Sequence, residues 1–352
     1  MAQKFGTSAI LWRQELGSSR FKIQNLRDGN ETLESIFDRI RNTCARVANQ
    51  ASRVWINYDR ILPYASSLPL EKAIRPQLDP NCHYLGRQKD TVAFLLVLDC
   101  INFGSGYFPY LHKRPGRSGY FTIASSLYDF YRANGALAAD QLAAITAEDC
   151  MRIFDQDPAN TIIMELMAYF SAALNQLGRY LLNRFNGSFT GLVEAAGASA
   201  GRLVRLLKQM PYFNDAALYA GLEVPFFKRA QIIAADLAIA FQGRTWGCFS
   251  DLEQMTIFAD NLVPHVLRMD GILRYEDALL SCINAQTLIP AGSAEEVEIR
   301  ACAVHAVELI KNAIFDAGQY ITSSQLDNFL WNRGQKPHYK ALPRHRTRTV
   351  FY

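Results

Sequence analysis

The sequence lacks the usual signatures of a metal centre. Its seven cysteines are widely spaced and form no CxxC pair, and its six histidines form no HExxH motif. A common zinc site needs three or four protein ligands, whereas His305 and Glu308, three residues apart on a predicted helix, supply only two. We therefore expect neither a metal nor a cofactor.

Long apolar runs are also missing. No stretch approaches the roughly 20 apolar residues that a membrane-spanning helix requires, and residues 1–17 have no apolar core of signal-peptide length. The odd number of scattered cysteines is typical of reduced thiols that pack as small core residues. These features predict a cytoplasmic protein that makes no contact with a membrane.

The charge is nearly balanced, with 37 lysines and arginines against 33 aspartates and glutamates and a formal net charge of +4. Proteins that bind nucleic-acid polymers concentrate a larger cationic excess on one face. We therefore expect no stable nucleic-acid partner, although a few local cations would suffice for a small anionic substrate. The composition predicts no oligomeric state.

Helical periodicity dominates the chain, because apolar residues recur at spacings of three and four. Helices are predicted over residues 32–53, 225–242, 294–317 and 324–333. Thr32 is a plausible N-cap for the first of these helices, and Ser293 with Glu296 fits a capping box at the start of the third.

Strand signals are sparse, and residues 54–58 form either a single strand or an extended segment. The sequence thus predicts a mainly α fold with few or no strands. Residues 1–31, which are polar, are interpreted as an N-terminal extension. Residues 32–352 are interpreted as one domain, with room for two helical lobes.

Three aspartates lie in apolar segments: Asp236 in AADLA, Asp260 in TIFADNLVP and Asp327 in LDNFLW. A buried carboxylate is costly without a partner, and such groups often occur where carboxylates take part in chemistry. Asp260 or Asn261 could instead cap the helix whose first turn Pro264 marks, because Asp is a favoured N-cap. The residues alone leave both roles open.

Lys228 and Arg229 stand near the start of the predicted 225–242 helix, where cations oppose the positive end of the helix dipole. They could form a solvated first turn, or they could bind an anion together with free backbone N–H groups. The sequence again leaves both interpretations open.

Several ordered blocks recur in one known family. They are FFKRAQIIAAD (226–236), TIFAD (256–260), EVEIRACAVHAVELI (296–310), LDNFLW (326–331) and HRTRTVFY (345–352), with a looser match at LDCINF (98–103). The chain resembles the queuosine 5′-phosphate N-glycosylase/hydrolase, or queuosine salvage, family from about residue 54 to its end.

This resemblance implies a helical fold related to helix-hairpin-helix DNA glycosylases. It also implies hydrolysis of the N-glycosidic bond of queuosine 5′-monophosphate, which releases queuine for tRNA modification. The family's catalytic aspartate falls on Asp260. Its base pocket includes the positions that match Thr256, Phe258, Asp327, Asn328 and Asn332.

The chemistry of these residue types fits that reaction. A carboxylate at Asp260 can stabilise an oxocarbenium-like transition state or activate water. Asp327 suits a guanine-like edge or the substrate's cationic amine, and Phe258 can stack on the base. Asp236 is a further candidate for substrate binding. For the 5′-phosphate, the residue types suggest Lys228 and Arg229, or Arg346 and Arg348.

Departures from the family pattern affect the predicted pocket. Relatives often have tyrosine and aspartate where this chain has Asn328 and Asn332, and Tyr58 takes the place of a histidine. The loop 104–116 is also unusual. Two alternatives therefore stay open: a glycosylase for another modified deazapurine nucleotide or nucleic-acid base, and a deazapurine-binding protein without catalysis.

Overall fold

Helices account for most of the computed structural model, which describes residues 34–73 and 76–352. The predicted mainly α class is confirmed. Residues 1–31 and the predicted cap Thr32 lie outside the described residues, so the extension and the domain boundary stay predictions. Residues Ser35–Tyr352 form one compact unit.

The helices fall into α1 (Ile36–Gln50), α2 (Tyr58–Ser67), α3 (Leu70–Ala73), α4 (Lys89–Cys100), α5 (Gly119–Asn134), α6 (Ala139–Ala144), α7 (Ala147–Ile153), α8 (Thr161–Phe185), α9 (Phe189–Ala195), α10 (Ala200–Leu207), α11 (Lys228–Ala240), α12 (Leu262–Met269), α13 (Asp277–Asn284), α14 (Ala294–Asp316), α15 (Ser323–Gly334) and α16 (Pro337–Lys340). The strands are β1 (Val54–Ile56), β2 (Ala216–Tyr219), β3 (Leu222–Pro225) and β4 (Leu273–Tyr275).

The strands form two small antiparallel pairs. In the first pair, β1 lies against β4 with Val54 opposite Tyr275, which confirms a strand at this position. In the second pair, β2 and β3 form a hairpin that leads directly into α11. No described helix combines the length and apolar character needed to cross a bilayer.

Side-chain caps fix where several helices begin. The Ser35 hydroxyl accepts a hydrogen bond from Phe37 N and caps α1, whose described start is Ile36. Ser293 caps α14 as predicted, because its hydroxyl accepts from Glu296 N. The Glu296 side chain, however, accepts from Gly292 N and pairs with Arg300. The predicted capping box is therefore only half formed.

The predicted 225–242 helix begins three residues later than expected, at Lys228. Pro225 is the last residue of β3, and Phe227 has a left-handed backbone with φ of 46° and ψ of 41°. This conformation is uncommon for a residue other than glycine, and nothing in the local sequence signals it. It breaks the helical path between the hairpin and α11.

Two helix pairs carry the walls of the main cavity. α4 is buried from Thr91 to Cys100 and packs against α11. α12 packs against α15, and α14 contacts both of them. Because α4 and α14 are buried around most of their circumference, they lie in the core and hold the shorter elements around them.

The terminal segment, residues 345–352, is extended as predicted and lies in the interior. Ile289 N donates to Arg346 O, and Gly104 N donates to Tyr352 O at 3.0 Å. A Cβ atom at Gly106 would lie 2.3 Å from Thr347 O, so only glycine allows this approach of the loop 104–116.

Candidate active site

A cavity of about 280 Å³ opens where the end of α4, the start of α11, the segment before α12, and α15 meet the terminal segment. Polar and aromatic side chains line it. They are Gln77, Asp79, His83, Asn102, Ser105, Ser118, Tyr120, Phe121, Lys228, Asp236, Phe258, Asp260, Asn261, Asp327, Asn328, Trp331, Asn332, Gln335, Lys340, Arg344 and Tyr352, together with Leu78, Phe103, Phe108, Gly119, Ile232 and Leu262.

Asp260 lies on the cavity wall and is only 8% exposed. Its Oδ1 accepts hydrogen bonds from Leu262 N at 2.8 Å and Val263 N at 3.0 Å, so it also caps α12. The cap that the sequence left open is therefore formed, and the same carboxylate faces the cavity. The capping bonds orient the carboxylate, and Oδ2 is not engaged by these two donors.

Asp327 projects from α15 into the same cavity, and its Oδ1 accepts from Phe258 N at 2.9 Å. Burial, and then the negative charge of Asp260, raise the pKa of Asp327 well above its ordinary value. A carboxyl group that keeps its proton can donate a hydrogen bond as well as accept one. The Asp327 carboxyl group therefore offers the cavity a hydrogen-bond donor as well as an acceptor.

Lys228, in the first turn of α11, is 6% exposed and reaches the cavity. Its Nζ donates to Asn102 O at 3.0 Å. Burial lowers the pKa of Lys228 to about 8, and the charge of Asp260 acts in the opposite direction. The solvated first turn considered from the sequence is therefore wrong, and Lys228 is a buried cation beside Asp260.

A second pair of neighbouring carboxyl groups comes from α11 and α4. Asp236 lines the cavity, and burial raises its pKa to about 7 against the opposing charge of Lys228. Asp99 of α4 is fully buried, and its Oδ1 accepts from Asn102 Nδ2 at 3.3 Å. Burial and the charge of Asp236 raise the pKa of Asp99 well above its ordinary value.

Aromatic side chains form another part of the wall. Trp331 meets Tyr120 and Phe121 edge to face, with centroid distances of 5.7 and 5.9 Å. His83 Nδ1 lies 2.9 Å from Asp79 O, so Nδ1 carries the proton and donates. His83 Nε2 then accepts from the Tyr120 hydroxyl at 3.1 Å. This chain of hydrogen bonds fixes the aromatic wall.

Comparison with known proteins covers the part of the chain that forms the cavity. The family described as queuosine salvage protein matches residues 82–352, which include the whole cavity except Gln77, Leu78 and Asp79. The chain belongs to the queuosine salvage protein family.

Individual relatives extend the match over most of the chain. A protein of Sphaerobacter thermophilus is 36% identical over 318 residues, which cover 89% of this chain and 97% of the relative. A Dictyostelium discoideum protein is 34% identical, covering 74% and 78%. A mouse protein is 30% identical, covering 89% and 98%. All three are named queuosine 5′-phosphate N-glycosylase/hydrolase.

Most of the site positions predicted from the salvage family meet at the cavity. Phe258, Asn328 and Asn332 line it together with Asp260 and Asp327. Asn332 Nδ2 donates to the Asn328 backbone oxygen at 2.8 Å and to its side-chain oxygen at 3.0 Å. The two amides that depart from the usual family residues therefore contact each other at the edge of the pocket.

Two predicted pocket residues lie elsewhere. Tyr58 is 55% exposed at the start of α2, away from the cavity lining. Thr256 is fully buried behind the wall, where its hydroxyl accepts from Gln231 Nε2 and its backbone N donates to Gln231 Oε1, both at 3.0 Å. Thr256 therefore supports the segment that carries Phe258. Tyr58 and Thr256 do not belong to the cavity wall.

Three of the predicted phosphate ligands, Arg229, Arg346 and Arg348, lie outside the cavity lining. Arg229 is buried behind Lys228 and donates to the carbonyl oxygens of Cys100, Tyr212 and Val350, so it has a structural position. Arg346 stacks on Tyr110 at 5.7 Å, outside the cavity lining.

Arg348 is likewise outside the lining and lies over the Tyr107 ring at 5.1 Å. Lys340 and Arg344, which the sequence interpretation missed, reach the cavity instead. Burial lowers the pKa of Arg344 and the charge of Asp260 opposes this effect, which places Arg344 near Asp260. The only sequence feature that could have indicated Arg344 is its position directly before the matched block 345–352.

Residues 197–201 read Gly-Ala-Ser-Ala-Gly, the GxSxG spacing of a hydrolase nucleophile elbow. Ser199 nevertheless serves as a helix cap, because its hydroxyl accepts from Arg202 N and donates to Asp251 Oδ2 at 2.7 Å. It does not line the cavity. Among the described residues, no cluster of His, Cys, Asp and Glu could hold a metal ion.

Proposed function

We propose that this protein hydrolyses the N-glycosidic bond of queuosine 5′-monophosphate and releases queuine for reuse in tRNA modification. The named relatives and the family match support this reaction. The observation that carries the proposal is the position of Asp260, an oriented carboxylate on the wall of a cavity that also contains Asp327 and Lys228.

Asp260 is the proposed catalytic residue. As the bond between the base and ribose C1′ breaks, its electron pair leaves with the base and positive charge develops on the sugar. A fixed carboxylate stabilises that charge or removes a proton from the attacking water. The hydroxyl group then joins C1′, and the base leaves with a proton, so that the products are queuine and ribose 5-phosphate.

The base needs help as a leaving group, because a 7-deazaguanine ring has no N7 to protonate. In our proposal Asp327 binds the polar edge of the base in its neutral form and stabilises the charge that develops there. Phe258 stacks on the ring. Asp236, near the aromatic wall, pairs with the cationic side-chain amine of queuosine.

The phosphate end is assigned to the cations that line the cavity. Lys228, Lys340 and Arg344 are the candidates, because Arg229 and Arg346 lie outside it. Arginine and lysine side chains form charge-assisted hydrogen bonds with phosphate oxygens. This assignment predicts that the nucleotide binds more tightly than the nucleoside.

The test is to incubate the full chain with queuosine 5′-monophosphate and to follow free queuine by chromatography. We expect release by the wild type and a loss of at least about 100-fold in kcat for Asp260→Asn. Asp251→Asn is the control, because Asp251 caps α10 away from the cavity. Absence of release from this or a related deazaguanine nucleotide would contradict the proposal.

Binding measurements on the same protein separate the alternatives. Tight binding of queuine without any turnover would identify a non-catalytic binding protein. Tight and steeply salt-dependent binding of tRNA or DNA would favour a polymer substrate.

We also propose a cytoplasmic location. All seven cysteines are free and five of them are buried, which supports this location because disulfides are rare in the cytoplasm.

A further inference from the structure

A buried ion pair outside the cavity connects the two charged groups on which the proposed reaction depends. Arg300 of α14 and Asp215, which precedes β2, are each only 2% exposed. They form a bidentate pair, with Nη1 to Oδ1 at 3.0 Å and Nη2 to Oδ2 at 2.7 Å. Neither residue lines the cavity, so neither can contact substrate there.

The Arg300 side of this pair holds the residue before Asp260. Its Nε donates to Ala259 O at 3.0 Å. The next residue, Asp260, is fixed from the other direction by its bonds to Leu262 N and Val263 N. Asp260 is therefore held on both sides. On one side Arg300 binds the preceding residue, and on the other the first turn of α12 binds the carboxylate.

The Asp215 side holds the turn that places Lys228. Asp215 Oδ2 accepts from Lys228 N at 3.1 Å, and its backbone oxygen accepts from Phe226 N and Phe227 N at 2.9 and 3.1 Å. Phe227 has the left-handed backbone described above. Such a conformation persists only where its surroundings determine it, and Asp215 supplies three of the bonds that do so.

The guanidinium group is also locked in its plane. Its carbon lies 3.9 Å from the centroid of Phe226 and 4.6 Å from that of Tyr352, so the group is stacked between two rings. A second carboxylate, that of Glu296, approaches Nη1 at 3.3 Å. A planar fork with bidentate and stacking contacts is a property of arginine that lysine cannot reproduce.

We infer that the Arg300–Asp215 pair is a positioning device that sets the spacing between Asp260 and Lys228. The inference rests on the proposed function. It assigns to two residues outside the cavity a role in the rate of bond cleavage, because small displacements of a catalytic group can lower the rate by about 100-fold. Lys228 is only one of three candidate phosphate ligands, so substrate affinity depends mainly on Lys340, Arg344 and the contacts to the base, and it changes less.

Arg300→Lys and Asp215→Asn test this role, since the first keeps the charge and the second keeps the shape. Glu298→Gln is the matched control. Glu298 is on the same helix, fully buried, and accepts from Arg53 N, Val54 N and the Tyr219 hydroxyl, all remote from the cavity. All three variants weaken a buried network, but only the first two alter the proposed device.

We measure kcat and KM for release of queuine together with the Tm of each variant. The expected result is a fall in kcat of about 100-fold for the two test variants with KM changed by less than about threefold, which is the pattern of an interaction made in the transition state. The control should lower Tm without this loss in kcat. If Arg300→Lys does not fold, Asp215→Asn decides.

Two outcomes overturn the inference: a folded test variant with kcat within about threefold of the wild type, or an equal loss of kcat in the control. If the wild type itself releases no base, the proposed function is wrong, but the positioning role can still be tested.

In that case, crystal structures of wild type and Arg300→Lys decide the positioning role. A displacement of Asp260 relative to Lys228 by about 1 Å supports it, and unchanged positions refute it.

Discussion

Asp236 provides a direct check on the electrostatics of the cavity. Burial raises the pKa of its carboxyl from the ordinary 3.8 to about 7. Between these values the folded chain holds a proton that the unfolded chain has released. Stability is therefore expected to fall as the pH rises from about 4 to about 7 and to change no further above that range.

The size of this effect follows from the gap between the two pKa values. At about 1.4 kcal/mol for each pH unit, the gap corresponds to about 4 kcal/mol of unfolding free energy. Asp236 is only half-buried at the cavity wall, where water can reach it. We therefore expect between about 2 and 4 kcal/mol after allowing for solvent screening.

Asp236→Asn removes this titration while keeping the shape of the side chain. Urea unfolding of wild type and variant at pH 5, 6, 7 and 8 gives the difference in stability at each pH. Only about two of the roughly three pH units of this titration lie between pH 5 and pH 8, so the stability of the variant relative to the wild type should rise by about 1–3 kcal/mol over that range. The neighbouring Asp99, whose pKa the charge of Asp236 raises, changes the difference in the same direction.

Asp140→Asn is the control, because Asp140 is exposed in the first turn of α6. Its difference from the wild type should stay within about 0.5 kcal/mol across the series. A difference for Asp236→Asn that is equally independent of pH would refute the reasoning. It would mean that Asp236 ionises in the folded chain as readily as in the unfolded one.

Three further predictions concern the pocket and its frame. Asp327→Leu should raise KM for queuosine 5′-monophosphate by about 10-fold or more in steady-state assays, because the donor and the acceptor that the neutral carboxyl group offers to the base are both lost. Arg344→Ala should weaken nucleotide binding by about 10-fold in calorimetry, whereas Arg346→Ala should not. Gly106→Ala should lower the unfolding free energy by about 1–3 kcal/mol in urea, since its Cβ would meet the backbone of Thr347.

Periodicity was enough to predict four of the helices but not where each charged side chain points. Lys228 and Arg229 are neighbours in one helix turn, yet the first reaches the cavity and the second is bound to three carbonyl oxygens. Successive helical residues point about 100° apart. Which direction faces the cavity depends on how α11 packs against α4, and the sequence does not contain that information in any local pattern.

The other wrong predictions concern positions that depend on contacts between segments distant in the sequence. Arg344 lies at the cavity because the terminal segment folds back through the interior, where Gly104 N binds Tyr352 O. The late start of α11 depends on the left-handed Phe227, a residue type that does not predict such a turn. The matched blocks placed Asp260 and Asp327 at one cavity, whereas Thr256, which the same resemblance assigned to the pocket, lies behind the cavity wall.

The helix cap at Asp260, which at first competes with a catalytic interpretation, explains how the site can separate the roles of two carboxyl groups. Two backbone N–H groups at the positive end of α12 hold the Asp260 carboxylate in place. Burial, and then the charge of Asp260, keep the pKa of Asp327 well above its ordinary value. In the proposed reaction Asp260 therefore faces the developing sugar cation, while the Asp327 carboxyl group donates a hydrogen bond to the base. A cap that lost either N–H bond would let the Asp260 side chain turn away from this position, and the two carboxyl groups could no longer divide these roles.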